Sequence, residues 1–343
     1  MGAQDNAPKY TNEFMNIGAG ARSFGLGLSA VSYIDDATAG YWNPAGLNQF
    51  KPDHQLTLMH SAYFAGIANY DFAAFATHID SLGFLSISVL RFSVDDIADT
   101  RFLFDGAGGV NYDNIRFFSS SDYAVLLTYA RQLPFLKGLD FGANVKIIRR
   151  IVGDFGGAWG FGLDAGLKKQ IGAWNVAAVG KDIFGTFNSW SYNTEELLEI
   201  YTQTDNEIPV NGLEIAFPRL ILGVSRVFSL SEAFTLMGTL DMSTTFDGKR
   251  NTLIRSNIAS TDPYGGVEFG FKNKAFLRAG VSQFQQIKDF DGSKSWSFQP
   301  SLGIGIKIKE LTVDYAFTDV GDQAAGLYSH VFSVNVDFSS NEK

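Results

Sequence analysis

Trp296 to Lys307 reads WSFQPSLGIGIK, and its two-residue period decides the fold. Trp296, Phe298, Pro300, Leu302, Ile304 and Ile306 fall on one face of an extended chain, while Ser297, Gln299, Ser301, Gly303, Gly305 and Lys307 fall on the other. Side chains alternate across a strand, so one face here suits lipid and the other suits water or polar packing. The pattern recurs at 159–168, where Trp159, Phe161, Leu163, Ala165 and Leu167 oppose Gly160, Gly162, Asp164, Gly166 and Lys168. It recurs again where Leu311, Val313, Tyr315 and Phe317 alternate with Thr312, Asp314, Ala316 and Thr318. Alternating segments about ten residues long, separated by turns, are the signature of a membrane β-barrel. A soluble β-sandwich also alternates. Two features stand against it: Gly, Ser, Thr and charge occupy the polar face of nearly every segment, and Tyr123, Tyr129, Trp159, Trp296 and Phe317 lie near segment ends, where an interfacial girdle sits.

Working outward, the predicted strands are 54–63, 69–79, 83–92, 120–131, 138–150, 157–168, 173–184, 216–228, 232–244, 264–272, 275–285, 295–308, 311–318 and 328–338. That makes an all-β, 14-stranded antiparallel transmembrane barrel over 54–338. Connections after the even-numbered strands are short, as at Ser229 to Ser231, Lys272 to Lys274 and Lys309-Glu310. Those after the third, seventh and ninth are long: 93–119, 185–215 and 245–263. Barrels of this class have short periplasmic turns and longer extracellular loops, so both termini are expected in the periplasm of a Gram-negative envelope. Val331 to Phe338 ends on an aromatic like a C-terminal signal strand, and residues 339–343 form a frayed tail.

Composition agrees. The 343 residues hold 31 Phe and 36 Gly against 8 Pro, and mean hydropathy is +0.01, an average suited to a chain apolar outside and polar inside. Apolar runs such as Ala124 to Leu127 fall far short of the roughly 18 residues that a spanning helix needs. No cysteine is present, so there is neither a disulfide framework nor a thiolate site. The formal charge of −9 argues against nucleic acid as a partner. Met1 to Gln4 lacks the basic and apolar parts of a leader, which reads as a mature form.

Chemistry-bearing motifs are sparse. Gly18-Ala19-Gly20 and Gly160-Phe161-Gly162 do not open a helix in a βαβ unit, so they are not dinucleotide loops. His54, His60, His78 and His330 are not at ligand spacing, and no nucleophile elbow occurs. No enzyme activity and no cofactor are expected.

The stretch before the first strand is Gly/Ala-rich and semi-apolar, and reads as a plug or hatch over 14–53, preceded by a periplasmic tail at 1–13. Its ARSFGLG (Ala21 to Gly27) and DDATAGYWNPAGL (Asp35 to Leu47) resemble the N-terminal signature of the PorV/PorQ family of Bacteroidetes outer-membrane proteins, within the wider FadL superfamily. The resemblance implies a FadL-type barrel with an N-terminal plug. It also implies protein traffic across the outer membrane, chiefly in type IX secretion as a PorV-like shuttle of cargo between translocon and attachment complex, or else an accessory subunit of another outer-membrane complex, with a larger barrel, lipoproteins and secreted cargo as partners beside the membrane lipids. Carried onto this chain, the signature marks Gly20, Arg22, Gly25 and Gly27, then Asp35, Asp36, Trp42, Asn43, Pro44 and Gly46. Plain chemistry gives Asp35-Asp36 a capping role and Asn43-Pro44 a turn. Asn193 to Glu196 is a capping-box-like start to a short helix whose Leu197, Leu198, Ile200 and Tyr201 dock a partner or cover the barrel mouth. The competing function is a FadL-like channel for small hydrophobic molecules. The polar inward faces favour protein traffic over that alternative.

Overall fold

A computed structural model describes the chain apart from residues 1–9, 105–107, 134–137, 204–206, 208, 289–291, 321–326 and 340–343, and apart from the side chains of 196, 199, 200 and 203. The first strands are β1 His54–Tyr63, β2 Ala68–His78, β3 Gly83–Asp99, β4 Arg116–Gln132, β5 Leu139–Val152 and β6 Gly156–Ile171. They continue as β7 Trp174–Lys181, β8 Thr186–Tyr192, β9 Gly212–Ala216, β10 Arg219–Ser229, β11 Phe234–Thr245 and β12 Ile254–Arg255. The last are β13 Ser260–Phe271, β14 Ala275–Lys288, β15 Lys294–Ile308, β16 Leu311–Thr318 and β17 Ser329–Phe338. Every pairing is antiparallel. The ring runs β1 to β7, then β10, β11 and β13 to β17, and β17 pairs back onto β1, with His54 opposite Phe338. These are the fourteen expected staves, closed so that no edge is left unpaired.

The three additional strands belong to the long-loop end. The stave expected at 173–184 stops at Lys181, because Asp182 (φ 54°) and Gly185 (φ 78°) turn the chain before β8 resumes alongside β6. β9 then pairs with β8 but not with β7, and Phe217-Pro218 separates it from β10. Proline donates no ladder hydrogen bond, which makes it a natural place for a stave to break. Thus the expected loop 185–215 is itself partly wall, with the helix α3 Thr194–Gln203 between its two strands. The expected loop 93–119 shrinks to 100–115, since β3 and β4 continue past a bulge between Val94 and Ile97.

Register agrees with the alternation. Leu302, Ile304 and Ile306 of β15 are half exposed on the outer face, whereas Ser301 is buried. The interior is less uniformly polar than the sequence suggests: Tyr70 and Phe72 on β2, Leu90 on β3, Leu126 on β4 and Ile148 on β5 point inward and are buried. They do not face water. Residues 14–50 lie inside the ring and form one hydrophobic core with that apolar sector. Within this segment are two short helices, α1 Ala21–Gly25 and α2 Ala39–Trp42, and a 3-10 turn at Pro44–Gln49. Tyr10 to Glu13 sit at the long-loop end, where Tyr10 stacks under Arg250 and Asn12 accepts from Asn188. The tail expected at the turn end therefore starts, where it is described, at the opposite mouth.

Candidate functional site

The segment inside the ring is held by its own backbone. Ala30 and Val31 both donate to the Asp241 carboxylate at 2.6 and 3.0 Å, Ala21 donates to the Ser333 hydroxyl at 3.0 Å, and Ala37 donates to Gln55 at 2.8 Å. Lys168 donates to the Ile34 carbonyl, Lys181 to that of Tyr41 and Asn144 to that of Gly40. A short, non-repetitive segment leaves many amides and carbonyls unpaired, and burying them away from water is costly. The inward polar side chains meet that need from all around the wall.

The second means of holding is close approach. Asn43 and Pro44 press on Gly166 and Gly142, where an added β-carbon would stand 2.0 Å from Asn43 Oδ1 and 2.3 Å from the Pro44 carbonyl carbon. Gly25 touches Gly303, and Leu26-Gly27 crosses Gly266 and Gly280. Gly27 needs its glycine twice over, for φ of 63° and for the 2.5 Å that would separate a β-carbon from the Val281 amide.

Charge forms the third. Arg22 makes a two-pronged contact with Glu268 (3.0 and 2.9 Å), Glu268 also accepts from Arg278 at 2.7 Å, and Arg278 donates to Asp314 at 2.7 Å. The Arg22 guanidinium also lies over the Tyr33 ring, 4.6 Å from its centre, and 3.9 Å from Asp35. This chain of charges lines a polar vestibule of about 380 Å³ at the turn end. A second cluster braces the middle of the wall: Lys146 to Asp164 at 2.7 Å and to Asp182, and Lys181 to Asp164 at 3.4 Å.

The signature residues fall into these roles. Gly20 (φ 78°) precedes α1 and donates to the Met59 sulfur. Asp36 accepts from the Thr38 amide and hydroxyl at 2.9 and 2.5 Å, closing a turn, and burial pushes its carboxyl up from the ordinary range. Trp42 Nε1 donates to the Ala19 carbonyl at 2.8 Å, and Trp42 packs edge-on to Tyr41. Asn43 caps the 3-10 turn by accepting from Ala45 at 3.0 Å and donates to the Val31 carbonyl at 2.9 Å, while Gly46 packs on the Ile34 carbonyl. In α3, Leu197 is buried, Leu198 exposed and Tyr201 half-buried; the Ile200 side chain is outside the described residues. Asp241, Glu268, Lys168, Asn144 and the wall glycines were not singled out by the sequence reading. Charges and glycines at inward parity in mid-strand are the signal that points to them.

Between the segment and the upper wall lies a cavity of about 40 Å³, apolar where Met15, Leu28, Val31, Trp42 and Ile221 line it and polar where Asn16, Lys181, Arg219, Asp241 and Ser243 do. Lys181 and Arg219 form the last rung between β7 and β10. Pairing between the two staves resumes only at Thr186 and Ala216, so 182–185 and 217–218 lie between two ladders. On the outer surface Ile183, Phe184 and Phe217 are exposed there.

Compared with solved structures, the chain is similar to the CymD monoaromatic hydrocarbon channel (14% identity, TM-score 0.60, covering 95% of this chain and 99% of that one). It is also similar to the Ralstonia pickettii toluene transporter TbuX (12%, TM-score 0.58, covering 94% and 98%) and to a Pseudomonas aeruginosa FadL homologue (12%, TM-score 0.54, covering 93% and 98%). The fold is that of a FadL-like barrel. At these identities the likeness is one of fold alone. No protein-family model matches the chain, and no curated protein matches it. Among the described residues no cluster of His, Cys, Asp or Glu is placed to hold a metal ion in this FadL-like barrel.

Proposed function

We propose that the chain is an outer-membrane channel for small hydrophobic molecules, with 14–53 as its plug, the last strand ending on the periplasmic side and the long loops outside. The observation that carries the reading is the small cavity over Trp42, apolar on the side of Met15, Leu28, Val31 and Ile221, which abuts the break between staves. A molecule entering from the long-loop mouth meets Met15, Leu28 and Trp42, and the way sideways leads past Ile183 and Phe217 toward lipid. As it stands the route is shut: about 40 Å³ is far below the roughly 150 Å³ of an apolar cavity that accepts benzene, so passage needs the plug to shift. Two of the similar structures are a monoaromatic hydrocarbon channel and a toluene transporter, which supports the same direction.

The protein-traffic reading drew its support from polar inward faces. Many of those groups bond to the segment inside the ring, such as Asp241 to Ala30 and Lys168 to Ile34, so they do not form a free polar lining for cargo. Nothing in the fold favours a PorV-like shuttle over a channel.

The test is uptake of radiolabelled toluene by cells whose own hydrocarbon channels have been deleted. The chain should speed toluene entry without speeding a polar solute of similar size, and Ile221→Trp, which fills the cavity, should slow it severalfold. Entry no faster than in cells lacking the chain would reject the channel, and co-purification with a larger barrel plus secreted cargo would then restore the traffic reading.

A further inference from the structure

At the long-loop end, on the outer face of β14 and β15, a groove of about 390 Å³ is lined by Lys249, Arg250, Asn251, Arg255, Gln286, Lys288 and Lys294. We propose that this groove holds the phosphorylated headgroup of a lipid in the outer leaflet, a site that rests on the chain being an outer-membrane barrel. Position is the first argument. Gln286 pairs with Trp296 and Lys288 with Lys294, so both lysines share the face of Trp296, which is half exposed on the lipid side. They stand two residues beyond it, about 7 Å at the usual strand rise. An interfacial aromatic marks the headgroup boundary, and cations one step further out meet headgroup phosphates.

Charge is the second. Arg250 is neutralised by Asp247 at 2.6 Å and by Glu13 at 3.8 Å. Arg255 instead bonds only neutral partners, Gln286 Oε1 at 2.5 Å and Asn251 Oδ1 at 3.4 Å. Among the described residues no carboxylate lies within ion-pair distance of Lys249, Arg255, Lys288 or Lys294. Asp289 and Asp291 lie outside the described residues. Four cations that no described carboxylate pairs converge here, in a chain of net charge −9, and call for an anion.

Construction is the third. Asn251 both donates to the Gln286 carbonyl and accepts from the Gln286 amide, each at 3.0 Å, so the loop that carries Lys249 and Arg255 is pinned to the hairpin that carries the two lysines. Arg255 is held in place before anything binds, and the lysines stand on backbone that is pinned beside it. A planar guanidinium suits two-pronged phosphate contact and lysines act as point charges, so together they match a headgroup bearing two phosphates.

The protein folded in detergent is titrated with bisphosphorylated lipid A, with dephosphorylated lipid A and with inorganic pyrophosphate, and binding is read by native mass spectrometry. Bisphosphorylated lipid A should bind, and K288E/K294E should weaken it about tenfold or more, while K272E/K274E at the opposite end leaves it unchanged. Heat-modifiability reports folding, and K288Q/K294Q replaces the reversal if that does not fold. Equal binding to the double variant, or equal binding of dephosphorylated lipid A, overturns headgroup recognition. Pyrophosphate binding as tightly as the lipid makes the groove a free-phosphate site and overturns the lipid assignment. Fractionation is read separately: absence from the outer membrane sinks the barrel's proposed location, whereas presence there without a lipid A preference sinks this proposal alone.

Discussion

A β-carbon placed on Gly280 of the wall would stand 2.1 Å from the amide nitrogen of Gly27 in the segment within. Backbone meets backbone there, and no rotamer change relieves the contact. Gly280→Val should therefore expel the Leu26-Gly27 crossing while leaving the ladders intact, raising vancomycin sensitivity without lowering the heat-modifiable barrel. Gly238→Ala is the control, since nothing lies within 4 Å of its added carbon. A normal barrier in the Gly280 variant would show that the crossing does not close the lumen.

Arg22 is the segment's charged anchor. Arg22→Met removes one of the two cations on Glu268, and removing one partner of a largely buried pair typically costs about 3–5 kcal/mol, somewhat less here because Arg22 keeps part of its surface open to the vestibule. Leak of small solutes should rise, and Arg22→Lys should restore only part of the barrier because it cannot make the two-pronged contact. Full restoration by lysine would mean that charge alone matters.

Leu302 and Ser301 face opposite ways, and both should resist arginine for different reasons. A charge on the lipid face costs roughly 2–4 kcal/mol at mid-membrane, so Leu302→Arg should reduce the amount of assembled barrel. Ser301 faces a filled interior, so Ser301→Arg should leave the barrel assembled and displace the segment. The readout is heat-modifiability for the first and antibiotic entry for the second. The opposite pattern would reverse the register of β15.

Trp42→Ala should cost the segment about 3–5 kcal/mol of packing and leave the Ala19 carbonyl without its donor. The ring is closed by its own ladders and should persist. Uptake of a hydrophobic dye is expected to increase, because the cavity beside Ile221 grows by the volume of an indole. Loss of barrel from the membrane would instead assign Trp42 to the folding nucleus.

Period-two alternation was enough to place the wall, because lipid outside and packing inside impose opposite demands on neighbouring residues, as in Leu302 and Ser301. The broken staves were not legible: β9 is only five residues long, and Asp182 and Gly185 look like ordinary loop residues until β8 is seen resuming the ladder with β6. The interior was half legible. Gly27, Asn43 and Pro44 stood out as turn formers, yet nothing local in Gly142, Gly166 or Gly280 shows that their missing side chains make room for another part of the chain. Asp241 and Glu268 carry no local motif, and their partners in the inner segment lie some two hundred residues away. Such pairings are set by the closed ring and leave no mark on the neighbouring sequence.

Gln55 on the first strand donates to Asp337 on the last and at the same time accepts from Ala37 within. The seam of the cylinder and the seating of its contents thus share one side chain, and the Ala21 to Ser333 bond spans 312 residues. Contacts so distant in sequence form late, because the entropy of closing the intervening loop is lost before the bond is gained. Seating and closure are therefore coupled: the bonds of Ala21 and Ala37 to the wall draw on the same two strands whose meeting seals the ring. A chain released before that meeting would expose both edges at once, and that unfinished intermediate is where folding is most open to aggregation.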